Sequence, residues 1–135
     1  MKLYNLMTKF FSKNKFIFYL INLLIIIFYI FPGSILGLAM YNDINIQPQI
    51  TPNFIISSNH FYLFVVLSLI GLLTFMTTKQ RKYLIIYLIA LSIILELFHF
   101  VIPSRSFQWS DLFGNLFGVF VVIFLNSFIN KYGNS

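Results

Sequence analysis

Residues 83–102 read YLIIYLIALSIILELFHFVI, an unbroken apolar run in which Glu96 and His99 are the only carboxylate and imidazole. A bilayer core of about 30 Å is crossed by roughly 20 apolar residues in a helix. This stretch therefore predicts a transmembrane helix, stopped before Pro103 because proline disfavours continuation. Working outward, three more segments have the same character. Phe16 to Phe31 is interrupted only by Asn22 and ends at Pro32-Gly33; a second begins near Ser57 to His60 and runs to about Thr77; the last spans Asp111 to about Ile129, ahead of a short tail with Lys131. The expected fold class is all-α, a polytopic membrane bundle of four transmembrane helices, with residues 1–135 forming one domain.

Composition points the same way. The chain is 59% hydrophobic and 20% aromatic but only 9% charged, against about 25% charged in a typical soluble domain. Its net charge of +6 is explained by topology signals rather than by nucleic-acid binding, because the basic residues flank apolar runs. Lys2, Lys9, Lys13 and Lys15 precede the first run, and Lys79, Arg81 and Lys82 separate the second from the third. With Lys131 these lie on the side of the N-terminus, and only Arg105 lies on the other. Both termini are thus expected in the cytoplasm. No small-x-small cleavage site follows the first run, so it reads as a retained helix. The absence of cysteine excludes disulfides, iron–sulfur clusters and thiolate catalysis.

The longest outer connection runs from Gly33 to Asn59. Its apolar start, residues 34–41, fits either an interfacial segment or one that dips back into the bundle, while Asn42 to Asn53 is turn-rich.

The ionisable residues collect at the outer end: His60 at the start of helix two, Glu96 and His99 near the end of helix three, Arg105 in the turn and Asp111 opening helix four. Ser92, Glu96 and His99 share one helical stripe, and Asp111, Asn115 and Gly118 another. A charge at that depth costs at least about 2.5 kcal/mol and takes a partner; for Glu96 the candidates are His99, Arg105, Asn115 and a proton. Plainer readings stand beside this one. Asp111 suffices as an N-cap, Gly114 and Gly118 as a close-packing GxxxG, His60 as an interfacial side chain, Asn22 as interhelical glue, and Glu96 with Arg105 as a buried pair pinning the turn.

The run Glu96-Leu-Phe-His-Phe-Val-Ile-Pro-Ser-Arg105, followed by Asp111-Leu-Phe-Gly-Asn115-Leu-Phe-Gly118, resembles the signature of VanZ-like membrane proteins: a Glu, a Gln three residues on, a Pro-x-Arg turn, then Asp-x-x-x-Asn-x-x-Gly. Ser58-Asn-His60 resembles that family's Asp-Lys-x-x-His segment. Here His99 replaces the Gln, and Ser58 and Asn59 stand in place of the Asp-Lys pair. The resemblance implies a small bacterial membrane protein linked to tolerance of the glycopeptide teicoplanin, with no established reaction.

The leading expectation is an outer binding pocket built from Glu96, Arg105, Asp111, Asn115, His60 and His99. Arg105 would contact an anionic headgroup of a membrane lipid or lipid-linked envelope precursor, since its guanidinium fork suits phosphate or carboxylate. An intramembrane acid/base or metal-dependent enzyme and a purely structural, partner-binding protein are the alternatives. Glu96-x-x-His99 has a metal-ligand spacing, but only Asp111 and His60 are at hand to complete a set. No metal, no cofactor and no nucleic-acid partner is therefore expected, and no catalytic residue is assigned.

Overall fold

The apolar runs fold as helices, and their ends are set by local chemistry that hydropathy does not register. The computed structural model describes residues 2–132. Among them the chain forms six helices and no strand: α1 (Lys2–Lys13), α2 (Phe16–Ile30), α3 (Ile35–Tyr41), α4 (Ser58–Thr74), α5 (Thr78–Phe98) and α6 (Trp109–Tyr132).

Helix α5 starts at Thr78, well before the expected Tyr83, because Thr77 and Gln80 form a reciprocal cap: the Thr77 hydroxyl accepts the Gln80 N–H and the Gln80 side chain accepts the Thr77 N–H. The basic residues Lys79, Arg81 and Lys82 are thus helical. At its other end α5 stops at Phe98, and residues 99–101 wind more tightly through N–H bonds three residues back before Pro103. Helix α6 begins at Trp109, so Asp111 lies within its first turn and is not its N-cap, as the sequence reading allowed; it continues past Ile129 to Tyr132.

The basic N-terminal segment, read only as a topology signal, is the amphipathic helix α1. It meets α2 at a bend of 77°, where Asn14 turns its side-chain amide onto the Phe10 carbonyl at 2.9 Å. Residues 35–41 form the short helix α3, capped by the Ser34 hydroxyl on the Gly37 N–H and closed by Asn42 in the left-handed conformation. Gly37 is its one buried residue, packed so tightly that a Cβ would lie 2.0 Å from the Ile46 carbonyl oxygen. The segment therefore docks on its own loop.

Helix α4 is central, packed on α6, α1, α2 and α5. Its seam with α6 is the tightest, as the GxxxG pattern anticipates: a Cβ on Gly114 would come within 2.8 Å of the Ser57 carbonyl oxygen, and one on Gly118 within 2.6 Å of that of Phe61. Phe64, Leu67, Leu88, Leu95 and Val119 fill the interior. Asn22 joins α2 to α5 by accepting the Tyr87 hydroxyl at 2.8 Å, the interhelical role expected of it.

The all-α class holds. One stretch, Trp109–Ile129, is by itself long and apolar enough to cross a membrane, and a second follows if the bent pair α1–α2 counts as one span. Helices α2 and α4 have 15 and 17 residues, or about 22 and 25 Å of axis. Four separate full-length spans do not follow from helix length.

Candidate functional site

Four helices bring polar side chains together at one end of the bundle, the end carrying the C-terminus of α2 and α5 and the N-terminus of α4 and α6. Glu96 on α5 is fully buried, with His99 beside it 2% exposed. The i, i+3 spacing places Glu96 Oε1 3.2 Å from His99 Nδ1, and the same oxygen accepts the Gln108 N–H at 3.0 Å. The other oxygen, Oε2, is buried and has no hydrogen-bond partner. His99 Nε2 lies 3.3 Å from the Tyr29 carbonyl oxygen, which can only accept, so Nε2 carries a proton.

His60 enters from the first turn of α4 and Asp111 from the first turn of α6. His60 Nδ1 contacts Ser57 Oγ at 2.7 Å, and this occupies the serine hydroxyl, which makes no side-chain cap for its own helix. His60 Nε2 faces Asp111 Oδ2 at 3.5 Å. Asp111 Oδ1 accepts the Ser110 hydroxyl at 3.2 Å. One ligand-type atom each from His60, Glu96 and Asp111 falls within 4.8 Å of the others. The three residues are separate in the sequence and on three different helices; their convergence is what the fold adds to the list of candidates.

Asn115, one turn below Asp111, is fully buried and ties three helices together: its Nδ2 donates to the Ser92 carbonyl at 3.2 Å and its Oδ1 accepts the Tyr29 hydroxyl. It does not reach Glu96. Tyr29, which sequence reasoning missed, is the hub of this cluster. It is 3% exposed, stacks on His99 with 5.7 Å between ring centroids and meets His60 edge-on at 5.1 Å. The available signal was its spacing of seven from Asn22, which puts both polar tips on one stripe of α2.

Arg105 departs most from expectation. It forms no ion pair with Glu96; its Nε donates to the Phe31 carbonyl at 3.2 Å and its Nη2 to that of Phe28 at 3.0 Å. The guanidinium thus caps the C-terminus of α2, where free carbonyls and the helix dipole favour a cation. Half-burial pulls its pKa below the ordinary arginine value, while Tyr29, Asp111 and Glu96 oppose that shift; it remains a cation.

Two clefts open onto the cluster. One of about 270 Å³ has Arg105, His60, Asn59, Gln47 and Gln49 as its main polar lining, and Phe28, Leu63 and other apolar side chains as walls. The other, about 190 Å³, reaches Asp111 and Gln108. Segment 47–51 separates them and is fixed to the start of α4: the Gln49 side-chain oxygen accepts both the N–H and the hydroxyl of Ser58, and Asn59 bonds the Ile50 N–H and the Pro48 carbonyl. Comparison with known protein families, characterised proteins and solved structures gives no match.

Proposed function

We propose that this chain is a multi-pass protein of the bacterial cytoplasmic membrane, VanZ-like in character, that binds an anionic headgroup of a lipid or lipid-linked envelope precursor at its outer end. In this reading α2, α4, α5 and α6 cross the bilayer and both termini are cytoplasmic. Support comes from the outward faces: only 28% of the apolar window in α6 is buried, whereas a core helix of a soluble protein is mostly buried. Leu20 and Leu24 on α2, Val66 on α4, Ile94 on α5 and Phe120 and Phe124 on α6 are likewise exposed, which suits contact with lipid chains. The short α2 and α4 are accommodated by local thinning, and α1 lies along the inner interface with its lysines toward anionic lipid.

The observation that carries the binding reading is the 270 Å³ cleft, in which a cationic guanidinium and several amide side chains meet apolar walls. Such a lining matches an amphiphile with a charged head. The test is retention of phosphatidylglycerol against phosphatidylcholine by the purified chain, followed by native mass spectrometry. Arg105→Gln, which removes the charge, and Leu63→Trp, which fills the cleft, should each abolish the preference. Undiminished preference in both folded variants would refute it.

A further inference from the structure

We infer that His60, Glu96 and Asp111 form a binding site for a divalent transition-metal ion such as zinc. The inference stands apart from headgroup binding and is tested without any lipid ligand.

The three donors come from α4, α5 and α6 and lie within 4.8 Å of one another. Two ligands each about 2.1 Å from a tetrahedral ion are about 3.4 Å apart, close to the 3.5 Å between His60 Nε2 and Asp111 Oδ2. At 3.5 Å this ion pair makes no hydrogen bond, and the same separation suits a bridging cation.

Glu96 supplies an independent observation. Its side chain is fully buried, Oε1 is engaged twice, and Oε2 has no partner. A buried carboxylate oxygen left without donor or cation is costly. Among the described residues no lysine or arginine forms an ion pair with Glu96 or Asp111; histidines are their only ion-pair partners. A dication balances the two carboxylates and gives Oε2 a ligand role.

Each donor is also held from behind, as metal ligands are. Ser57 Oγ engages His60 Nδ1 and leaves Nε2 for the ion; Gln108 N–H and His99 fix Glu96 through its other oxygen; the Ser110 hydroxyl holds Asp111 through Oδ1. One imidazole and two carboxylates, with no sulfur ligand in a chain that lacks cysteine, select zinc, manganese or iron over copper(I), and the imidazole argues against calcium and magnesium. Three protein ligands leave a coordination position for water. His60 borders one cleft and Asp111 the other, so an ion has a route in.

The test uses the full chain in detergent, its affinity tag cleaved, stripped with chelator and titrated with zinc chloride by calorimetry. Cobalt(II) absorption of the wild type serves as a readout that needs no variant. The expected result is one ion per chain, with visible cobalt bands of nitrogen–oxygen coordination. Asp111→Asn and His60→Gln should each weaken zinc binding at least tenfold, while Phe124→Ala, on the exposed face of α6, retains it. Folding of each variant is checked by circular dichroism and elution volume. A folded wild type that takes up neither zinc nor cobalt overturns the site, as does binding that survives both Asp111→Asn and His60→Gln. If neither variant folds, the wild-type cobalt spectrum decides. Loss of the metal result with phosphatidylglycerol preference intact separates this failure from failure of the binding reading.

Discussion

The Tyr29 hydroxyl donates to Asn115 Oδ1, joining the last turn of α2 to the second turn of α6 inside the polar cluster. Asn115 spends its amide on the Ser92 carbonyl, so its oxygen has no other donor among the described residues. Tyr29→Phe keeps the stack on His99 but strands that oxygen. The expected cost is about 1 kcal/mol, near the range for buried hydrogen bonds in membrane bundles, read as a lower Tm in detergent.

Glycine at 118 is required by the Phe61 carbonyl 2.6 Å from where a Cβ would sit. Gly118→Ala forces α4 and α6 apart and should destabilise by about 1–3 kcal/mol. Phe124→Ala, on the exposed face of α6, serves as the control and should leave the yield of folded protein near wild type.

Arg105 bonds two carbonyls of α2 at once, a geometry that a lysine ammonium does not reproduce. Arg105→Lys should loosen the last turn of α2, raising amide exchange there roughly fivefold to tenfold, the effect of about 1–1.4 kcal/mol. Unchanged exchange after Ile27 would remove the capping role.

Glu96→Gln retains an oxygen to accept the Gln108 N–H and removes the charge. Folded protein in the membrane should stay at wild-type level while glycopeptide and envelope-stress sensitivity match a deletion strain. Loss of the protein, or no change in sensitivity, would make the cluster structural.

Topology is open to a clean test because the chain has no cysteine. Ile55, 98% exposed in the long loop, should react with a membrane-impermeant maleimide in intact cells as Ile55→Cys. Gln80→Cys, at the start of α5, should react only after lysis. The reverse pattern would invert the proposed orientation.

The helical class was legible because apolar runs dictate it, and close packing on α6 was legible because Gly114 and Gly118 are one turn apart, though not that α4 is the helix packed there. The polar residues His60, Glu96, His99 and Asp111 were also found, since ionisable side chains stand out against an apolar background. Of their partners, His99 for Glu96 was among the candidates; the rest were not found. Whether Arg105 serves Glu96 or the carbonyls of α2 depends on where the 103–108 turn places the guanidinium, and spacing along one helix does not encode that. Tyr29 was hidden for a related reason: its role comes from the crossing of α2 over α4 and α6, and its spacing of seven from Asn22 was the one mark that set it apart among eight tyrosines. The amphipathic α1 was passed over because its lysines had already been assigned to charge asymmetry.

The clamp of Gln49 on Ser58 has a consequence for what can pass. The side-chain amides of Gln49 and Asn59 hold the partition between the two clefts, so the vestibule has two narrow mouths instead of one wide one, each meeting a different donor of the His60–Asp111 pair. Released, the partition would merge them into a single slot. A smaller residue at position 49 would free Ser58 and widen the space between the clefts without altering His60 or Asp111.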